Sequence, residues 1–209
     1  MDKLRRSLGI GFGFLLCSMI FLSGCGNSNT HVNEKSAGMD KKVNSKRLVK
    51  KSLSSKNQKV KEVNWLLPTG GAYPKLGSND PIWIKVSKAK QRVYIMKGSA
   101  LIYTMVVSTG IDSNPETSTP EGTFYIQRER GTWFYSPRVK EGAKYWVSWK
   151  NHGEYLFHSV AMDENGNVIT NEAKKLGHEA SHGCVRLAIP DAKWIYDNIK
   201  YNTKVVIGS

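Results

Sequence analysis

The side chains in this sequence best suited to covalent chemistry cluster around a thiol. Cys184 sits in Ser181-His182-Gly183-Cys184-Val185-Arg186-Leu187, and Phe157-His158-Ser159 lies upstream, with 22 residues between His158 and Ser181. A thiol at its ordinary pKa of about 8.5 is mostly protonated at neutral pH. A nearby imidazole can accept that proton, or as imidazolium stabilise the thiolate, and so create a nucleophile. Glycine next to the sulfur lets a substrate approach the backbone closely, and amide groups of such a turn can stabilise an oxyanion. Arg186 is a permanent cation able to grip a carboxylate in two-pronged fashion; the alternative is that it pairs with a carboxylate of the fold. Two further alternatives concern the thiol. It could be buried as a small hydrophobe, or His178-x3-His182-x-Cys184 with His158 could offer mixed nitrogen and sulfur donors to zinc. The zinc spacing matches no common finger, and no metal is expected.

Cysteine usage isolates this thiol. The chain has three cysteines in 209 residues, too few for a disulfide-stapled scaffold. Residues 1–24 read as a signal peptide: Lys3, Arg5 and Arg6 precede an apolar run from Leu8 to Leu22 that is short for a membrane span. Cys17 falls inside that segment. Leu22-Ser23-Gly24-Cys25 resembles the lipobox of bacterial lipoproteins, in which the cysteine is alkylated and becomes the new N-terminus, so Cys25 is the expected lipidation site. An uncleaved anchor is the competing reading; either way the chain is exported and tethered. The expected location is the outer side of the bacterial cytoplasmic membrane, and Cys184 is then the one free thiol.

Composition places the elements that must position it. Forty per cent of residues are hydrophobic and 10% aromatic, which excludes collagen-like and wholly disordered classes. Of the net charge of +14, the stretch 27–64 carries +7, with no aromatic residue and few aliphatics. Residues 25–64 are therefore read as a lipidated, disordered basic tether. It would reach about 35 Å as a flexible coil, either attracting anionic lipid or wall polymer or serving as a solvated spacer. A nucleic-acid arm is the competing use of such charge, and export argues against it. From residue 65 to 209 the composition is that of one β-rich domain. Strand-like runs occupy 82–87, 91–96, 101–108, 122–128, 145–149, 155–160 and 204–207, separated by turn clusters. One short helix is expected after Pro190, with Ala192, Ile195, Tyr196 and Ile199 on one face. The architecture expected is mainly β, a small sandwich or barrel with one or two short helices. Aromatic residues cluster at 133–135, 145–149 and 155–157, as packing inside the sheets or as walls of a cleft.

Ser-His-Gly-Cys-Val-Arg-Leu, with a histidine upstream near a strand end, resembles the signature of L,D-transpeptidases, the YkuD-type catalytic domain. The resemblance extends over most of residues 63–209, through Trp65 with Pro68-Thr69-Gly70-Gly71, Gln91-Arg92-Val93-Tyr94, Ser108-Thr109-Gly110, Thr119-Pro120-Glu121-Gly122-Thr123-Phe124, Arg130-Gly131 and Asp191-Ala192-Lys193-Trp194. Two departures are visible. The interval between His158 and Ser181 is longer than usual, the excess lying in 163–180 as a lengthened loop with a short helical piece, and Arg186 stands where many members carry Asn. The resemblance implies that Cys184 is the nucleophile and His158 the general base and acid, its ring oriented by backbone at Ser159. It implies oxyanion-hole amides at Gly183 and Cys184, with His182 and Arg186 shaping the site and binding substrate. The implied donor is a peptidoglycan tetrapeptide stem. Cys184 attacks the carbonyl of its third residue, D-Ala leaves, and a side-chain amine of a neighbouring stem takes the acyl group in a 3→3 cross-link; water as acceptor would make a carboxypeptidase. A carbapenem is implied to acylate the same cysteine. Two other functions compete: a non-catalytic wall-binding lipoprotein, and a papain-like thiol peptidase, which the order of His158 before Cys184 disfavours.

Overall fold

The computed structural model describes residues 62–209. The expected signal peptide 1–24, the lipidation site Cys25 and the tether as far as residue 61 lie outside the described residues.

Nine strands form one curled sheet in the order β4-β9-β1-β2-β3-β8-β7-β6-β5. In chain order they are β1 (Ile82–Ser87), β2 (Arg92–Lys97), β3 (Ala100–Ser108), β4 (Gly122–Tyr125), β5 (Arg130–Ser136), β6 (Glu141–Lys150), β7 (Tyr155–Ser159), β8 (Val185–Leu187) and β9 (Lys204–Gly208). Two helices complete the domain: α1 (Thr170–Ala173), between β7 and β8, and α2 (Ile189–Asn198), between β8 and β9. The mainly β expectation holds, with a single curled sheet as its form. All seven expected strand runs carry strands, but 122–128 ends at Tyr125 and the run at 145–149 starts earlier, at Glu141. β5 and β8 were not anticipated as strands.

Most neighbours in the sheet are antiparallel; β1 with β9 and β7 with β8 are parallel. Parallel neighbours cannot be joined by a tight turn and need a crossover of about a dozen residues or more. The chain between Ser159 and Val185 is that crossover, and the 163–180 segment lies within it. It folds as a turn in which the Asp163 carboxylate accepts the Asn165 and Asn167 N–H groups, followed by α1. Ala173 and Leu176 of this segment pack with Val160 and Ala188, and Val63 and Trp65 close over them.

The register decides which side chains meet. Phe157 pairs with Val185, His158 with Arg186 and Ser159 with Leu187. Because alternate residues of a strand face opposite sides, Phe157, Val185 and Leu187 point into the main core, all fully buried. His158, Arg186 and, two positions before it, Cys184 share the other face. Truncating Phe157 to alanine would cost about 3–5 kcal/mol, as for other buried aromatics, so the sheet fixes these positions firmly.

α2 starts with Pro190 in its first turn, where the missing N–H costs nothing. It buries Ala192, Trp194 and Ile195; Ile199, expected on its face, instead caps the helix in an extended conformation and is also buried. Asp191, in the first turn, is fully buried and accepts hydrogen bonds from the Thr69 N–H and hydroxyl and from the Tyr73 hydroxyl. The Thr69 hydroxyl oxygen also accepts the Val106 N–H at 2.9 Å. Pro68-Thr69-Gly70-Gly71 is thereby tied to both β3 and α2.

Candidate active site

Cys184 lies just before β8, at the mouth of a cleft of about 680 Å³ that also contains His158, Arg186, Tyr155, Trp146 and Phe134. That volume suits a peptide-sized ligand. The Cys184 sulfur accepts the Leu156 N–H at 3.3 Å, and its S–H points to the Glu154 carbonyl at 3.5 Å. The thiol thus rests against the start of β7. Burial pushes it up to about 11; the Leu156 N–H and the Arg186 charge lower it, and the Glu154 carboxylate raises it. The resting thiol is therefore protonated at neutral pH.

His158 is 6% exposed. Its Nδ1 lies 2.7 Å from the Ser159 carbonyl. A carbonyl only accepts, so Nδ1 carries the proton and Nε2 is the basic nitrogen. The Ser159 backbone therefore orients the ring, and the Phe134 ring stands edge-on to it at 5.6 Å between centroids. Burial, reinforced by the Arg186 charge and opposed by the Ser159 carbonyl, holds the imidazole down to about 3. At neutral pH the resting pair is a neutral thiol and a neutral imidazole in one cleft. Nε2 is thus unprotonated, as a general base must be, but the burial that keeps it so also weakens it as a base in the resting site.

The turn carrying the thiol is fixed from behind. Gly183 has φ +111°, and a Cβ there would stand 2.9 Å from the Tyr155 ring, so no side chain fits. The Gly183 carbonyl accepts the Thr119 hydroxyl at 2.9 Å, and the same hydroxyl oxygen accepts the Gly110 N–H at 2.8 Å. Gly110 is itself in a position where a Cβ would overlap the Thr117 carbonyl. The Gln91 side chain clamps Thr109 by accepting its N–H and donating to its hydroxyl, and the Thr109 carbonyl receives the N–H groups of Ala180 and Ser181. Gln91, Ser108-Thr109-Gly110 and Thr119 thus form one buried scaffold behind the turn that carries Cys184. Their types were quoted in the sequence, but Thr119 and Gln91 were not singled out as positioning residues; a buried hydroxyl and a buried amide next to glycine are the signals that point to them.

The expected oxyanion donors divide. The Gly183 N–H is already donated to the Ser181 hydroxyl at 3.1 Å. The Cys184 N–H meets no acceptor among the described residues and is the amide of the turn left to receive an oxyanion. Ser181 in turn donates its hydroxyl to the Cys184 carbonyl. His182 is exposed on the cleft rim.

Of the two readings of Arg186, the structure shows the ion pair. The side chain is 4% exposed and donates through one nitrogen to Glu141 at 2.6 Å and through another to Glu172 at 2.8 Å. Glu172 comes from α1, so the lengthened crossover delivers one of the two carboxylates. Burial alone would raise the Glu172 carboxyl; Lys175 and Arg186 outweigh it and hold the group below the usual range. Substrate binding through the paired nitrogens would require breaking these bonds. The exposed cation of the cleft is Arg138, which has no carboxylate partner among the described residues.

The aromatic cluster serves both of its expected uses. Trp149 and Phe157 are core, whereas Phe134, Trp146 and Tyr155 wall the cleft. His178 is exposed and outside the cleft lining, and no group of three or more His, Cys, Asp or Glu side chains among the described residues is arranged to hold a metal ion.

Residues 81–207 match the model of the L,D-transpeptidase catalytic domain, YkuD. The L,D-transpeptidase-family protein YciB of Bacillus subtilis (strain 168) is 47% identical over 193 residues, covering 92% of this chain and 95% of that one. Among solved structures, an L,D-transpeptidase from Mycobacterium smegmatis superposes with a TM-score of 0.51 at 17% identity, covering 62% of this chain and 59% of that one. An L,D-transpeptidase from Mycobacterium tuberculosis H37Rv gives 0.50 at 18% identity, covering 62% and 58%. The chain thus spans about three fifths of these solved proteins, and the likeness to them is one of fold. With the match of the catalytic-domain model over most of the described residues and a close relative along almost the whole sequence, this chain belongs to the L,D-transpeptidase family.

Proposed function

We propose that the protein is a cysteine-dependent peptidoglycan L,D-transpeptidase that forms 3→3 cross-links in cell-wall biogenesis. The observation that carries this reading is the placement of Cys184 and His158 in one cleft, with Nδ1 tied to the Ser159 carbonyl so that Nε2 is left basic. Binding of a tetrapeptide stem draws the Cys184 thiol from the Glu154 carbonyl towards Nε2. His158 takes the proton as sulfur attacks the carbonyl carbon of the third stem residue. The Cys184 N–H receives the developing oxyanion. His158 then protonates the leaving nitrogen, D-Ala departs, and a thioester remains on Cys184. In the second half an acceptor amine attacks the thioester, and His158 carries its proton to the departing sulfur. The scaffold of Thr119, Gly110 and Gln91 holds the turn in place throughout, and Arg138 is the cation available to a stem carboxylate.

The same reading places the protein on the outer face of the cytoplasmic membrane, held by lipid on Cys25 with the domain at the end of the basic tether. Loss of membrane association on Cys25→Ala, with the domain still folded, tests that part. The activity is tested by incubating the full-length protein with a defined tetrapeptide stem and analysing the products by mass. Release of D-Ala with formation of cross-linked dimer supports the proposal. D-Ala release with only free tripeptide makes the protein an L,D-carboxypeptidase, and no release at all refutes the acyl-transfer reading.

A further inference from the structure

The charges lining the cleft are unevenly used. Glu141 is committed to Arg186 at 2.6 Å, and Arg186 is further neutralised by Glu172. Glu154 and Glu116 are exposed in the cleft and neither has a cationic partner among the described residues; of the two, Glu154 is the one whose own backbone carbonyl meets the Cys184 sulfur. It is nonetheless held in place. The Asn151 side-chain amide donates to its Oε2 at 2.7 Å across a turn in which Asn151, His152 and Gly153 all take positive φ, at 53°, 47° and 108°. Its backbone lies beside the reacting atom, since its own main-chain carbonyl receives the Cys184 S–H at 3.5 Å and the next-but-one amide, of Leu156, donates to the same sulfur.

A negative charge here opposes the first half-reaction, since it disfavours a thiolate next to it. It is suited to the second half, where the incoming nucleophile is an alkyl amine that arrives as an ammonium ion. We propose that the Glu154 carboxylate is the acceptor-specificity residue, holding the side-chain ammonium of the incoming stem beside the thioester on Cys184. This inference rests on the acyl-transfer reading above and specifies its second substrate as a cation. The ammonium releases one proton to solvent to become the free amine. The nitrogen then bonds to the thioester carbonyl carbon as the carbon–sulfur bond breaks. The second proton passes from nitrogen to His158 Nε2 and on to the sulfur, which regenerates the thiol. Thioester plus ammonium thus give amide, thiol and one proton. Glu154 sets the local concentration of the amine and makes it win over water.

The test uses the full-length protein, a tetrapeptide donor and two acceptors: a stem with a free side-chain amine, and methoxyamine, a nucleophile that is uncharged at neutral pH. Each thioester partitions between aminolysis and hydrolysis, so the product ratio is read within one reaction. For Glu154→Gln the ratio of cross-linked dimer to free tripeptide at low acceptor concentration should fall about five-fold, the equivalent of about 1 kcal/mol for one ion pair in a solvated site. The loss should appear as a raised KM for the acceptor and disappear at saturation, and Glu154→Asp should recover part of it. The ratio of methoxyamine adduct to tripeptide should not change. An unchanged dimer ratio, or an equal fall with methoxyamine, overturns the role of Glu154 while the acyl-enzyme still forms. Absence of any acyl-enzyme in the unsubstituted protein overturns the acyl-transfer reading and this inference together.

Discussion

Replacing Arg186 with methionine would remove a guanidinium that is 4% exposed and bonded to Glu141 and Glu172 at 2.6 and 2.8 Å. Breaking a buried ion pair from one side costs about 3–5 kcal/mol, because the remaining charges lose their partner without regaining full hydration. Here the two carboxylates keep 20% and 21% of their side-chain surface, so water reaches them in part and the cost should fall near the lower end, about 3 kcal/mol. For a domain of this size each kcal/mol lowers Tm by about 2–4 °C, which puts the expected drop at about 6–12 °C. Adding Glu141→Gln and Glu172→Gln to Arg186→Met removes the stranded charges and should return most of the loss. Thermal unfolding and urea titration of the single and triple variants, together with donor KM, make the assay. A single variant that loses less than about 1 kcal/mol yet fails to bind the donor would refute the reasoning, since Arg186 would then be a substrate ligand and not a cation of the fold.

Alkylation of Cys184 by a small electrophile that reacts only with the free thiolate, without help from His158, should rise about ten-fold per pH unit from pH 6 towards 10, because burial holds the thiol up to about 11. A rate that is flat from pH 5 to 9 would mean that His158 takes the thiol proton for this reagent too, or that the pair is already ionised. His158 is held down to about 3 against 6.5 for the free group, so the unfolded chain takes up this proton first as pH falls. Its contribution to stability is complete above about pH 6.5 and is lost between there and pH 3, at up to about 1.4 kcal/mol per unit. Urea unfolding at pH 7, 6, 5 and 4 should therefore give a shallower acid loss for His158→Gln than for the unsubstituted protein, and equal slopes would contradict the buried neutral imidazole. Arg138→Ala should raise donor KM several-fold with little change in kcat, as measured by D-Ala release; an unaltered KM removes it from the donor site.

The candidate site was legible because covalent chemistry needs particular residue types: Gly183 and Cys184 stand in a short, specific run, and the structure brings His158, from far upstream, into the same cleft. Strand positions were legible where β-branched and aromatic residues concentrate, as in Ile82–Ser87 and Ala100–Ser108. β8 was not, since three residues buried by neighbours on both sides leave no alternation to read, and β5 showed itself only as an aromatic cluster. The partners of Arg186 were hidden for another reason. Glu141 lies 45 positions away and Glu172 14 positions away in the chain, and only the register of β7 with β8 and the path of the crossover bring them together. The Leu156 N–H and Glu154 carbonyl that hold the resting sulfur are backbone groups, which every residue type supplies alike. The long interval between His158 and Ser181 has its reason in the same crossover, which carries the chain between parallel strands and sets Glu172 against Arg186.

The most direct measurement is the intact mass of the full-length protein after exposure to a carbapenem, with peptide mapping of any adduct. A mass gain equal to one carbapenem, mapped to Cys184, lost in Cys184→Ala and strongly slowed in His158→Gln, is the expected result. An unmodified protein, or an adduct that persists in Cys184→Ala, would contradict the assignment of this sulfur as the nucleophile.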